Sequence, residues 1–196
     1  GLTNCITTCN GTPCATTFDP VNWLQGAGET PSAGNWGLDN GGTGSGGTGP
    51  GVDFVPGTAA GKYVYLEASS PCEANFTADL LSPLFDISSF TSPNGYRVSM
   101  GWHMFGINMG TMEVQASENG GAFTTIFTMT GNQGDVWNEF TVDRPLVSDV
   151  QFRVRGVRGP GFESDMAWDQ FCVSEAPLCT PPIATAAVVE TDCNTG

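Results

Sequence analysis

Thr111-Met112-Glu113-Val114-Gln115-Ala116-Ser117, then Glu118-Asn119-Gly120-Gly121, then Phe123-Thr124-Thr125-Ile126-Phe127-Thr128-Met129 is the stretch that decides the fold. Its first segment places Met112, Val114 and Ala116 on one face and Glu113, Gln115 and Ser117 on the other. Alternation of period two marks a strand with one face in a core. The Asn-Gly-Gly that follows is turn chemistry, because these residues tolerate the backbone angles a tight reversal needs. A second strand-like run begins at once.

The same grammar extends in both directions. Lys62 to Ala68 alternates, with Tyr63, Tyr65 and Glu67 on one face and Val64, Leu66 and Ala68 on the other. Phe18 to Leu24 reads as a first strand, Ala78 to Phe85 as an apolar run broken by Pro83, and Tyr96 to Phe105 as a long aromatic strand. Val136 to Val142, Val150 to Arg155 and Met166 to Val173 repeat the pattern. Pro93-Asn94-Gly95, Gly131-Asn132-Gln133-Gly134 and Gly156 to Gly161 separate them as turns. Many short strands with no long segment of period 3.6 predict an all-β, two-sheet antiparallel sandwich. Residues Gly37 to Gly51 hold eight glycines in fifteen positions. They read as a surface loop or flexible insertion, and no Gly-Lys-Ser/Thr follows that would make them a phosphate cradle.

At 196 residues the chain fits one domain with a real core. Three segments are expected: a Cys-rich lead-in over 1–17, the sandwich over 18–179, and a tail over 180–196. In the tail, Thr180-Pro181-Pro182 reads as a stiff linker and Ile183 to Glu190 as the start of a further domain. A chain that opens Gly1-Leu2-Thr3 reads as part of a larger exported precursor. The net charge of −14, from 20 acids against 6 bases, argues against nucleic acid and anionic lipid as partners. No apolar run is long enough to insert in a membrane.

Seven cysteines are present, with one histidine, His103, and no Cys-x-x-Cys pair. That is a poor zinc set and a good disulfide set, so a secreted or cell-surface location is expected. Cys5, Cys9, Cys14, Cys72, Cys172 and Cys179 are expected to be oxidised, with Cys193 left over. Of the fifteen pairings six cysteines allow, Cys14–Cys179 with Cys5–Cys9 and Cys72–Cys172 is the one expected.

No catalytic residue is assigned. A serine triad needs a histidine base, and the sole candidate lies in the apolar run Gly101-Trp102-His103-Met104-Phe105, where a structural role is expected. Metalloprotease sites need several histidines. Twenty acids leave glycosidase chemistry open by count, but the sequence picks out no pair. The isolated chain is therefore not expected to be an enzyme. Arg153 and Arg155 share the face opposite Phe152 and Val154, where they either pair with acids on a neighbouring strand or take a partner. Trp23 and Trp36 are the candidate ring platforms for a polysaccharide. Asp19, Asp53 and Asp169, with Asp165 nearby in sequence, are hard oxygen ligands of the kind a structural calcium ion takes; Asp19, Asp53 and Asp169 are the expected set.

Seven motifs in order carry a family resemblance over about Phe18 to Cys179. They are Thr48-Gly49-Pro50-x-x-Asp53 with Gly61-Lys62-Tyr63-Val64-Tyr65-Leu66-Glu67-Ala68-Ser69, Ala78-Asp79-Leu80-Leu81-Ser82-Pro83, Trp102-His103-Met104-Phe105-Gly106, Met109-Gly110-Thr111-Met112-Glu113-Val114, Gly131-Asn132-Gln133-Gly134-Asp135-Val136-Trp137, Val150-Gln151-Phe152-Arg153-Val154-Arg155-Gly156-Val157-Arg158-Gly159, and Asp165-Met166-Ala167-Trp168-Asp169-Gln170-Phe171. The chain resembles the MAM domains of meprins, neuropilins and receptor tyrosine phosphatases. The resemblance implies a jelly-roll sandwich serving adhesion or assembly without catalysis. The Thr-, Asn- and Gly-rich style is similar to domains of secreted bacterial multi-domain proteins, which implies a bacterial adhesion or substrate-binding module. The alternative is an accessory domain of a secreted metalloprotease, assisting folding or regulation. Extracellular protein, polysaccharide and self-association are the partners the reading leaves open. Two departures stand out. Animal MAM domains usually carry a cysteine where this chain reads Tyr96-Arg97-Val98-Ser99, and the paired aspartates expected from the family are reduced here to Trp168-Asp169.

Overall fold

The computed structural model describes residues 4–5 (backbone only), 23–25, 36–70, 72 and 74–178. Among them are eleven strands and no helix: β1 (Asn4–Cys5), β2 (Leu24–Gln25), β3 (Trp36–Asn40), β4 (Lys62–Leu66), β5 (Thr77–Asp86), β6 (Tyr96–Met104), β7 (Thr111–Glu118), β8 (Thr124–Thr130), β9 (Asn138–Arg144), β10 (Asp149–Val157) and β11 (Met166–Glu175). The lead-in around β1, Phe18 to Asn22, the tail, and Cys9, Cys14, Asp19, Cys179 and Cys193 lie outside the described residues.

The strands form a two-sheet antiparallel jelly-roll sandwich. One sheet runs β3-β4-β11-β6-β9 with β1 beside β11; the other runs β2-β5-β10-β7-β8. Period-two alternation fills the space between them. The five-stranded sheet contributes Leu80, Met112, Val114, Ala116, Val150, Phe152 and Val154, all buried. Facing them are Val64, Leu66, Val98, Met100, Trp102, Met104, Met166, Trp168, Phe171 and Val173. Each large apolar side chain so removed from water contributes about 1.5–3 kcal/mol. At the β8–β9 edge Phe127 stacks on Phe140, with centroids 4.4 Å apart, and closes the sandwich.

Two bulges explain residues that break the simple pattern. On β5 the register slips where Gln151 opposes Leu84 and Arg153 opposes Leu81. Pro83 falls in that slip, where it interrupts no ladder bond. The Phe152 N–H freed by the slip donates instead to Ser82 Oγ at 2.8 Å. On β11 the slip lies between Asp169 and Cys172, and Gln170 sits in left-handed backbone at φ 54°. The extra residue lets Trp168 and Phe171, three apart in sequence, both enter the core.

The glycine-rich segment differs from expectation. Its start, Trp36–Asn40, is strand β3, paired with β4 from Trp36–Leu66 to Asn40–Lys62. Tertiary pairing and the buried Trp36 override weak local propensity here. Further on, Thr48, Gly49 and Pro50 are buried rather than solvated. Thr48 Oγ1 donates to the Phe105 carbonyl at 2.9 Å and accepts the Asp165 N–H at 2.8 Å. The loop is pinned to the ends of β6 and β11.

Candidate functional site

Side chains on the outer face of the five-stranded sheet are fixed by the same alternation that fills the core. Val154 and Phe152 point inward on β10, so Arg153 and Arg155 point out. Cross-strand register sets Arg155 beside Asp79 on β5 and Glu113 on β7, and Arg153 beside Leu81 and Gln115. Arg155 grips Asp79 with two bonds, Nε to Oδ1 at 2.6 Å and Nη2 to Oδ2 at 2.7 Å. Arg153 Nη1 lies 3.6 Å from the same carboxylate. Arg153 Nε donates to Gln115 Oε1 at 2.7 Å, and Gln115 Nε2 donates to Glu113 Oε2 at 2.6 Å. The Arg153 guanidinium also lies over the Phe123 ring, 4.4 Å from its centroid. Leu24 on β2 and Leu84 on β5, both exposed, border this polar row. The result is a half-exposed row of planar groups held in place by one another.

The arginines thus take the cross-strand pairing weighed for them. Trp23 and Trp36 do not reach a surface. They are 5% and 2% exposed, Trp23 against Trp168 and Phe171, and Trp36 donating its indole N–H to the Ala78 carbonyl at 3.1 Å. Apolar packing claims them, and a polysaccharide has no access to either ring. Phe123, Gln115 and Asp79 were missed. Gln115 was legible as outward-facing, but only the register of three strands brings it to Arg153.

His103 is buried on the outer side of the six-stranded sheet, under the loop of residues 51–57. Its Nε2 lies 3.1 Å from Asp135 Oδ1, and its ring packs on Trp137 with centroids 5.4 Å apart. Phe54 and Tyr63 pack on the same tryptophan, whose indole N–H donates to the Val52 carbonyl at 2.9 Å. Burial pulls the imidazole below its ordinary range, and the Asp135 carboxylate opposes that only in part.

Of the aspartates expected to share a metal, Asp19 lies outside the described residues, and Asp53 and Asp169 each accept a local backbone hydrogen bond. Asp53 is buried, its Oδ1 accepting the Thr58 N–H at 2.6 Å, so it braces its own loop. Asp169 is buried at the β11 bulge, with Oδ1 accepting the Gln170 N–H at 2.7 Å. Among the described residues no group of three or more His, Cys, Asp or Glu converges as metal ligands. Asp165 has a different partner, Glu67. Burial, with Glu67 beside it, pushes the Asp165 carboxyl up to about 6.

Among the cysteines, Cys72 and Cys172 are the two whose side chains are described. Cys72 follows β4, and its Sγ lies 3.4 Å from the Glu67 carbonyl oxygen. Cys172 lies on β11, opposite Ser99 on one side and Cys5 on the other.

A jelly-roll sandwich with a preorganised polar sheet face belongs to the class of β-sandwich modules. Residues 16–179 match the family model described as MAM domain, meprin/A5/mu, and the chain belongs to that family. It is 34% identical over 143 residues to human MAM domain-containing glycosylphosphatidylinositol anchor protein 2, covering 68% of this chain and 15% of that protein. It is 37% identical over 117 residues to the human anchor protein 1, covering 59% of this chain and 12% of the relative. Neuropilin-1 of Xenopus laevis is 32% identical over 120 residues, covering 60% of this chain and 12% of that protein. The chain therefore spans a small part of each relative. In fold it is similar to the K1 cleaved adhesin domain of Lys-gingipain from Porphyromonas gingivalis W83, with a TM-score of 0.58, 17% identity, and coverage of 90% of this chain and 100% of that one. At that identity the likeness is one of fold alone. The sequence relatives named are vertebrate proteins and give no support to the expected bacterial source.

Proposed function

We propose that this chain is a non-catalytic recognition module of an extracellular or cell-surface protein, and that it takes its partner on the outer face of the five-stranded sheet. Membership of the MAM family supports the module reading. Relatives named as glycosylphosphatidylinositol anchor proteins support the cell-surface setting. Among the described residues no helix is long and apolar enough to cross a membrane. The metalloprotease-accessory alternative has no observation in its favour.

One observation carries the choice of face: Arg153 and Arg155 are immobilised by Asp79, Gln115 and Phe123 while staying half-exposed. Side chains already ordered lose little entropy on binding, and arginine with aromatic rings, as in Arg153 over Phe123, is enriched at recognition surfaces. An extracellular protein, a polysaccharide or a second copy each meets that description. The test is binding of the folded domain to glycan arrays and extracellular proteins, with sedimentation for self-association. Each is repeated with Arg153→Glu and with Arg97→Glu, the latter in the Arg97–Asp143 pair of the other sheet. Binding lost with Arg153→Glu and kept with Arg97→Glu supports the face. The reverse pattern overturns it, and turnover of any substrate overturns the non-catalytic reading.

A structural calcium ion is part of this proposal. Asp19, Asp53 and Asp169 were its expected ligands.

A further inference from the structure

Register lays the outward side chains of the five-stranded sheet in rows that cross its strands. One row reads Asp79 on β5, Arg155 on β10, Glu113 on β7 and Thr128 on β8. The next reads Leu81, Arg153, Gln115 and Thr125 over the same four strands. Neighbouring strands lie about 4.8 Å apart, so acceptor, donor, acceptor and hydroxyl alternate along the first row at that spacing. The rows are joined to each other. Arg153 Nη1 lies 3.6 Å from Asp79 Oδ2, and Gln115 Nε2 donates to Glu113 Oε2 at 2.6 Å. Two arginines against two acids make this patch formally neutral, on a chain whose net charge is −14. The exposed apolar side chains Leu24 and Leu84 stand at its margin, on β2 and β5. Phe123, half-buried under the Arg153 guanidinium, borders the second row.

That composition discriminates among partners. The buried centre of a protein interface is depleted of charged side chains, and covering them with apolar surface has a desolvation cost that their pairing only partly offsets. Here four charged groups stand at the centre of the patch. A hydroxyl group, in contrast, both donates and accepts. A ligand dense in hydroxyls donates to Asp79 and Glu113 and accepts from Arg153 and Arg155 while their mutual bonds stay in place. It replaces displaced water with groups of the same hydrogen-bonding kind. The C–H face of a sugar ring has Phe123 and Leu81 to rest against. An anionic ligand meets arginines already facing Asp79, in the field of an acidic chain. We propose that the ligand of this face is an uncharged polysaccharide, its hydroxyls bridging the Asp79–Arg155–Glu113 row and the Arg153–Gln115 pair beside it. This rests on the reading that the outer face of the five-stranded sheet is the recognition surface, and it names the ligand class.

The test is affinity electrophoresis of the folded domain through native gels. Soluble β-glucan, galactan, galactomannan and arabinoxylan are the neutral probes; polygalacturonate and dextran sulfate are the anionic ones. Wild type, Arg153→Ala, Glu113→Ala and Arg97→Ala are compared. Wild type should be retarded by at least one neutral polysaccharide, and the retardation should persist in high salt, because no net charge drives it. Affinity should fall tenfold or more in Arg153→Ala and in Glu113→Ala, and stay unchanged in Arg97→Ala. Should either of the first two fail to fold, Thr128→Lys takes its place: at an exposed position on β8 it sets an ammonium group beside Glu113 and occupies that acceptor. Retardation by the polyanions alone, abolished by salt, would overturn the uncharged ligand; if it also depended on Arg153, the face itself would stand. No retardation in any neutral gel would overturn the ligand class, and protein binding sensitive to Arg153 would then leave the face intact. Neutral-polysaccharide binding that survives Arg153→Ala, Glu113→Ala and Thr128→Lys would overturn the face and put the sugar site elsewhere.

Discussion

Arg155 and Asp79 face each other across the β5–β10 pair in a two-pronged grip, with Nε to Oδ1 at 2.6 Å and Nη2 to Oδ2 at 2.7 Å. Planar guanidinium matches planar carboxylate, which gives geometric fixity as well as attraction. Both side chains keep solvent contact, at 31% and 17% exposure, so the pair is screened and its worth is modest. A double-mutant cycle with Arg155→Ala and Asp79→Ala should return a coupling of about 0.5–1 kcal/mol that shrinks in high salt. A salt-independent coupling would show the pair to be more buried than this geometry has it.

Gln170 is the one strand residue of β11 in left-handed backbone, at φ 54°. Such a conformation costs a side-chain-bearing residue about 1 kcal/mol, and a β-branched one more. Gln170→Gly should therefore be neutral or stabilising by up to about 1 kcal/mol, and Gln170→Val destabilising by about 1–2 kcal/mol. Denaturant unfolding decides it. Equal loss in both variants would mean that the Gln170 side chain, not the bulge, matters.

Much of this was legible beforehand, for a physical reason. Alternation in 111–117 and 62–68 reports burial directly, so Met112, Val114, Val64 and Leu66 could be placed in the core from spacing alone. Trp36 escaped because it opens a glycine-rich run, and its strand exists only through pairing with β4. The β11 bulge escaped because one inserted residue leaves composition unchanged while flipping every later side chain. Site residues were harder. Arg153 was visible, but Phe123 and Asp79 join it only through register, and Glu67 meets Asp165 only through the fold.

Cys172 tests the register of β1 against β11. Backbone pairing sets Cys5 directly opposite it. Directly opposed residues of an antiparallel pair have Cα atoms about 4.5–5.5 Å apart, within disulfide range. Peptide mapping without reduction should recover Cys5 linked to Cys172. A Cys72–Cys172 peptide would instead restore the pairing expected from sequence.

His103 should make stability fall on acidification. Its ring is buried and its pKa is pulled down, mainly by desolvation. In the unfolded chain histidine titrates near 6.5, at about its ordinary value. Below that pH the unfolded state takes up a proton that the fold resists. The contribution of His103 is thus fully present above about 6.5 and is lost as pH falls towards the lower folded value. Asp165 acts with the opposite sign: its carboxyl is raised to about 6, so its contribution is present in acid and lost as pH rises through that value. Wild type alone therefore mixes two trends, and the informative quantity is a difference. Tm is measured from pH 5 to pH 8, with chelator present, for wild type and His103→Gln. The gap between them should be widest at pH 8 and narrow towards pH 5, because the variant lacks the group that resists protonation. A gap that stays constant across the range would show that His103 keeps its ordinary pKa in the fold, and that its burial under Trp137 and the 51–57 loop is incomplete.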